Sequence, residues 1–355
     1  MTEFVDASGN LLTANVDALV NTVNAVGVMG KGIALQFKNA YPANFKAYER
    51  ACKAEEVQLG DMFVFDTGAL TGPQWIINFP TKGHWRSNSR LSDVESGLDS
   101  LRSTIEELRI RTIAVPPLGC GNGGLDWSEV RPLIEKKLDG LDVEVHVYGP
   151  AGAPAAADMV VATERKPLSP GKAALVSIVD RYSVLALGTS LIEIQKLMYF
   201  LQAAGEDLRL NFSAELYGPY ADNLRHVLVA LEGHHLTGFG DGSSAVQQAE
   251  SITVLPGAPE EAEATLASNP DIAERMDRVL ELVGGYESAY GLELLATVHW
   301  VASHDVGSQG DDAAVVDGVQ GWNRRKEHMF TDQHIAAALR RLRNQQWLGP
   351  VLAAV

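Results

Sequence analysis

Residues 78–86 read NFPTKGHWR, and Lys82 is the side chain whose setting most asks for a chemical explanation. It follows an apolar run, QWIINFP (74–80), that reads as a buried strand, and it stands among Thr81, His84, Trp85 and Arg86. A lysine partly withdrawn from water has a lowered pKa, and its amine can attack an electrophilic carbon. If it keeps its proton it can instead stabilise or protonate a departing group. Taken alone, a lysine at a strand end is more often a solvated charge. Trp85 and Arg86 offer a surface on which an unpaired base can stack. Trp85 as an anchor of the loop in the core is an equal alternative, and His84 suits a loop residue better than an acid or base.

Two glycine-rich loops give that lysine a context. In NTVNAVGVMGKGIALQFK (21–38) a strand delivers Asn21 and Asn24, and Gly27, Gly30 and Gly32 precede a helix. Glycines let backbone amides approach a ligand closely, and a helix N-terminus favours anionic groups. The spacing is GxxGxG, which is neither a Walker loop nor the dinucleotide fingerprint. In PPLGCGNGGLDW (116–127) Gly119, Gly121, Gly123 and Gly124 again separate an apolar strand from a helix. Successive backbone amides in such a loop form an anion nest able to hold a diphosphate. Cys120 in this loop is read as a small filler rather than a nucleophile, because no partner base stands out.

Composition narrows the classes. The chain has 355 residues, the length of two domains, with 46% hydrophobic and 21% charged residues, as soluble proteins have. No apolar run is long enough to span a bilayer, and MTEFVDASGN is not a secretory signal, so a cytoplasmic location is expected. The two cysteines, Cys52 and Cys120, have no zinc spacing, and no metal site is expected. The net charge is −16, the wrong sign for nonspecific duplex binding. Residues 1–153 carry 14 basic and 19 acidic side chains, whereas 154–355 carry 15 and 26. The second half therefore favours a basic partner.

The elements that must position these groups alternate between strands and helices before about residue 150. DALVNTVN (17–24), MFVFDT (62–67), QWIINFP (74–80), TIAVPPLG (112–119) and VEVHVYG (143–149) read as strands, the last as a closing or edge strand. Helices are expected in 32–52, interrupted near Pro42, in 94–110, and in 128–138 with Ser128 as cap. An α/β sandwich follows, with ligand sites at strand ends. The proline- and alanine-rich stretch 154–171 reads as a linker between a domain over 1–153 and a mostly α-helical domain over 172–355. Within the latter, the stretch from Gly238 to Leu266 reads as a loop or short hairpin.

SGNLLTANVDALVNTVNAVGVMGKGIALQFK resembles the opening of a macrodomain, the three-layer α/β/α ADP-ribose-binding fold with a mixed sheet. Together with NFPTKGHWR and PPLGCGNGGLDW it is most similar to the macrodomains of the DarG antitoxins of DarTG toxin–antitoxin pairs. That resemblance implies a DNA ADP-ribosyl glycohydrolase that needs no cofactor. Its substrate would be ADP-ribosylated thymidine in single-stranded DNA, with ADP-ribose as product and a DarT-type ADP-ribosyltransferase toxin as partner. It implies Lys82, of the pair Thr81-Lys82, as the catalytic residue. Asn21 and Asn24 match the segment facing the distal ribose, and Gly30, Lys31, Gly32, Ile33 and Ala34 the first ribose- and phosphate-facing segment. Pro117, Leu118, Gly119, Cys120, Gly121, Asn122, Gly123 and Gly124 match the diphosphate loop.

Two departures from the pattern stand out. Where many macrodomains carry an adenine-binding aspartate, Asn10, followed by Leu11, stands here; its amide oxygen can still accept a hydrogen bond. Where a related lysine-dependent enzyme has an acid in the second loop, this chain has Gly-Asn-Gly-Gly, with Asp126 nearby in sequence. Whether Lys82 acts as a Schiff-base nucleophile or electrostatically is open at this point. A non-catalytic ADP-ribose reader and a hydrolase of protein-linked ADP-ribose are the alternatives. KLMYFLQ (196–202) and ELYGPYADNL (215–224) resemble a helical domain of several antitoxins, which implies toxin binding by the acidic second half, competing for a DNA-binding surface.

Overall fold

The computed structural model describes residues 1–186, 188–244, 250–304 and 310–348. Residues Met1–Arg165 together with Gly240–Ser244 form one compact unit, and the rest of the chain forms a second.

The first unit is built on six strands: β1 (Glu3–Ala7), β2 (Ala18–Asn24), β3 (Phe63–Asp66), β4 (Trp75–Lys82), β5 (Thr112–Val115) and β6 (Glu144–Tyr148). Their order is β1-β6-β5-β2-β4-β3, and every pairing is parallel except that of β3 with β4. Parallel strands are covered on both faces and read as continuous apolar runs. Along β2, Ala18 and Val20 join one core layer and Leu19 the other; Ile77 and Ile76 divide likewise on β4. On the first face lie α3 (Leu91–Leu108), which starts three residues before the expected helix, and α4 (Trp127–Leu138). On the opposite face lie α1 (Gly32–Ala40) and α2 (Pro42–Lys53), split at Pro42, whose missing N–H is tolerated in a first helical turn. The mixed three-layer sandwich matches the expectation.

Two local readings are corrected. VEVHVYG does not lie at an edge: β6 sits between β1 and β5, and β1, unread because Glu3 and Asp6 interrupt its apolar pattern, takes that edge. Ser128 is not the cap of its helix. Asp126 is, its Oδ1 accepting from the Ser128 amide at 2.8 Å.

Gly97 of α3 lies flat on β4: a Cβ there would stand 2.5 Å from Cε1 of Phe79. Gly97→Ala must push α3 off the strand that carries Lys82. Overpacking of this kind costs about 1–3 kcal/mol, to be read as a lowered denaturation midpoint in urea.

The second unit is mostly helical. It holds α5 (Pro170–Ser183), α6 (Leu191–Ala203), the hairpin β7 (Phe212–Glu215) with β8 (Gly218–Ala221), and α7 (Leu224–Leu231). There follow the short antiparallel pair β9 (Leu236–Thr237) and β10 (Thr253–Val254), then α8 (Ala258–Leu266), α9 (Pro270–Val283) and α10 (Ala289–His304). Last come α11 (Asp312–Gln320), α12 (Arg324–Met329) and α13 (Asp332–Asn344). The stretch left as loop or hairpin thus supplies β10, whose partner β9 lies just before it, and α8, with residues 245–249 outside the described residues.

Its apolar core encloses an ionic cluster. Glu293 of α10, almost fully buried, pairs with Lys326 of α12 and accepts two hydrogen bonds from the Arg325 guanidinium, at 2.5 and 3.0 Å. Lys196 of α6 is fully buried and donates to the Pro219 carbonyl at 2.7 Å, and burial pushes its pKa down to about 7. The ionic cluster ties α10 to α12, and the Lys196 bond ties α6 to β8 of the hairpin.

Candidate active site

Lys82 closes β4, paired with Asn24 of β2 after a register shift that leaves Thr81 as the extra residue of β4. Its ammonium donates to the backbone carbonyl of Asn122 in the second glycine loop, at 2.8 Å. The side chain is half-buried, and that desolvation alone lowers its pKa from the ordinary lysine value. No carboxylate pairs with it among the described residues. The head of α1 joins the same place. Gly32 has φ +64°, and a Cβ there would lie 3.2 Å from Nδ2 of Asn122. Three motifs distant in sequence therefore meet around Asn122: the strand-end lysine, the first helix head and the second loop.

The second loop is held by its own backbone. Cys120 N–H donates to Pro117 O, Gly124 N–H to Gly121 O and Leu125 N–H to Gly119 O, while Ser89 N–H holds Gly123 O at 2.9 Å. Gly119 and Gly124 have positive φ, and a side chain at Gly123 would collide with Ser89 and the Gly119 carbonyl, so this path needs glycine. The amides of Gly121, Asn122 and Gly123 donate to no acceptor among the described residues, which is the arrangement of an anion nest. Leu118 is buried in the core beneath, and Pro117 is half-buried. Burial and Asp126 push the Cys120 thiol up to about 11, so it stays protonated and unreactive near neutral pH.

The remaining residues fall into different places. Asn24 does not project freely: its amide oxygen accepts from Val26 N–H (3.1 Å) and Val28 N–H (3.2 Å), and its amide nitrogen donates to Val28 O (2.6 Å). Tyr48 hydroxyl donates to the Asn24 carbonyl from below. Asn21 is fully buried and donates to Asn78 Oδ1 at 2.9 Å, within a trio completed by Asn44, and its own Oδ1 has no partner among the described residues. Thr81 is buried, its hydroxyl donating to Val23 O at 3.4 Å. Lys31 is the N-cap of α1 without a side-chain cap bond, and exposed Gly30 precedes it. Ile33 and Ala34 fill the first turn, half-buried.

Asn10 caps a 3-10 turn (Leu11–Thr13), its oxygen accepting from Leu12 N–H and its nitrogen donating to Asp158 O at 2.9 Å; Leu11 is buried. The oxygen proposed for adenine is therefore engaged locally. Asp126 does not supply the missing acid: it is exposed and serves α4, its pKa lowered by hydrogen bonds from Ser128. Trp85 does not anchor the loop in the core; it is 45% exposed, with the Arg86 guanidinium 4.5 Å above its ring and His84 beside it at 5.4 Å.

Sequence reasoning missed Asp241. Its carbonyl accepts from Gly32 N–H at 3.1 Å and its carboxylate from Gln36 Nε2 at 2.6 Å, both within the first unit. Nothing local in the sequence signals a contact spanning 205 positions. Asn78 and Asn44 were likewise silent, because polar pairs inside a sheet leave no periodic trace.

Residues 20–134 match the family model described as Macro domain. The chain is 48% identical over 343 residues to a DNA ADP-ribosyl glycohydrolase of Thermus aquaticus, covering 96% of this chain and 93% of that protein. It is 43% identical over 348 residues to the DNA ADP-ribosyl glycohydrolase of Mycobacterium tuberculosis, covering 94% and 97%. A DNA ADP-ribosyl transferase–DNA ADP-ribosyl glycohydrolase fusion protein of Thermosipho africanus is 36% identical over 157 residues, 40% of each chain. Among the described residues no helix is long and apolar enough to cross a membrane, and no three His, Cys, Asp or Glu side chains gather as metal ligands.

Proposed function

The chain belongs to the DNA ADP-ribosyl glycohydrolase family, and we propose that within it Lys82 is the residue that breaks the bond between ADP-ribose and the base. The reaction is removal of ADP-ribose from thymidine in single-stranded DNA, and it opposes a DarT-type transferase that the chain also neutralises. The fused transferase and glycohydrolase of the Thermosipho relative support that pairing. The helical second unit, richer in acid, is the part that binds the toxin, and a partner acting on DNA fits a cytoplasmic location.

The observation that carries the catalytic assignment is the environment of the Lys82 amine. It touches a carbonyl rather than a carboxylate, and burial lowers its pKa. Burial favours the neutral amine, the form that attacks carbon, and a carbonyl holds the ammonium less firmly than a carboxylate would. The amine bonds to the anomeric carbon as the carbon–nitrogen bond to the base breaks, and the base departs with that electron pair and takes up a proton. Opening of the ribose ring leaves an imine on Lys82, which water hydrolyses to ADP-ribose and free amine. The second loop's unengaged amides are placed to hold the diphosphate while this happens.

The test is single-turnover release of ADP-ribose from a modified oligonucleotide as a function of pH. A neutral amine as nucleophile makes the rate climb about tenfold per pH unit and level off above the lowered Lys82 pKa, because only the unprotonated fraction reacts. A protonated lysine acting as acid gives the opposite limb, a rate that falls there. Cyanoborohydride added during turnover should reduce the imine and leave ADP-ribose on the Lys82 peptide. Absence of that adduct together with a falling limb overturns the nucleophilic role.

A further inference from the structure

The loop that follows β2 exposes apolar side chains where the fold has no need of them. Val26 is 47% and Val28 40% exposed, while Met29, next in line, is buried with Tyr48 and Cys52. The valines are not loose. Three hydrogen bonds, two accepted and one donated by the Asn24 side chain, fix residues 26 and 28, and Gly27 makes the turn between them at φ +81°. This loop is stitched to the catalytic strand end, since Ala25 N–H donates to the carbonyls of Lys82 (3.1 Å) and Gly83 (3.3 Å). Two residues past Gly83 comes Trp85, exposed and overlaid on one face by Arg86. Rigid, exposed apolar groups on both loops adjoining a reactive amine mark a recognition surface rather than a packing remnant.

The occupant follows from the chemistry of the bond being broken. The base is attached to the very carbon that the Lys82 amine approaches, so it lies within a few bond lengths of the loops joined to Lys82. We propose that Val26 and Val28 seat the departing base, reading the 5-methyl group of thymine by apolar contact, and that Trp85 stacks a neighbouring base of the single strand. Apolar side chains are the usual readers of that methyl group, and aromatic rings hold unpaired bases with little sequence preference. The division of labour is between identity at the valines and strand affinity at the tryptophan. This assignment rests on the DNA glycohydrolase reading given above.

The experiment uses the full chain and oligonucleotides carrying ADP-ribose on thymine or on uracil, which lacks the methyl group. The wild type is expected to favour thymine about fourfold in kcat/KM, the contribution of one buried methyl group. The Val26→Ser/Val28→Ser variant should lose that preference, while Trp85→Ala should raise KM on either oligonucleotide by about 5- to 100-fold. Binding of free ADP-ribose, followed by calorimetry, should change in neither variant. Equal thymine preference in wild type and the valine variant, or a parallel fall in ADP-ribose affinity, overturns the assignment. If the wild type turns over neither oligonucleotide, the glycohydrolase reading fails instead. Equilibrium binding of the same oligonucleotides then decides the base seat by the same comparison of variants. Loss of binding to the transferase in either variant, with DNA kinetics intact, would identify the surface as a protein interface and also overturn the proposal.

Discussion

Replacing Lys82 with alanine is expected to slow release of ADP-ribose from modified single-stranded DNA by about 100- to 10,000-fold, the range typical of removing a proton-transferring or covalent group. The loss should fall on kcat. The second glycine loop, proposed to hold the diphosphate, is fixed by Ser89 and by its own backbone, so affinity for free ADP-ribose should stay close to wild type. Lys82 makes one hydrogen bond to a carbonyl at the protein surface, so the denaturation midpoint should move little. Lys82→Arg is an informative companion. Guanidinium keeps the charge but is not deprotonated in proteins, so it serves an electrostatic role and fails a nucleophilic one. Turnover within a few-fold of wild type in Lys82→Ala would remove the lysine from the mechanism altogether.

The second large effect belongs to the other unit. Glu293→Ala leaves fully buried Lys326 and the neighbouring Arg325 facing each other without a counter-charge. Removing one partner of a buried ion pair costs about 3–5 kcal/mol, a large share of the 5–15 kcal/mol by which domains are stable. Amide exchange followed by mass spectrometry should quicken across α6, α10 and α12, and capture of the transferase by the full chain should fall with it. Release of ADP-ribose from DNA should persist, because the groups around Lys82 lie in the first unit. Unchanged exchange protection in those helices would show that the cluster contributes nothing to their stability.

Much of the first unit was legible because physics writes it locally. A parallel strand covered on both faces must be apolar throughout, which exposes β2, β4 and β5 in the sequence. The glycines of the second loop could be read as an anion nest because a side chain at Gly123 has nowhere to go. What stayed hidden was relational. β1 is short and carries two acids, so only its pairing with β6 reveals it as the sheet edge. Asn24 was singled out by its motif, but its work as a clamp on residues 26 and 28 depends on a turn that no pattern announces. Asp126 looked like a spare acid and is a helix cap, since a carboxylate two residues before a serine serves both purposes equally well on paper. In the second unit α6, α7, α9, α10 and α13 were readable from their apolar spacing, and α5, α8, α11 and α12 were not. Nor were the charges sealed among these helices, because Lys196 sits in an apolar run as any snorkelling lysine would, and Lys326 follows two arginines in a polar stretch that reads as exposed.

The bond from Lys82 to Asn122 ends on a carbonyl of the main chain. A substitution at position 122 changes the side chain and leaves that acceptor where it was. The anchor of the Lys82 amine is thus shielded from point mutation at its own address and exposed to changes of loop length or to loss of a glycine elsewhere in the turn. An insertion in 119–124 moves the carbonyl itself and takes the acceptor away from Lys82.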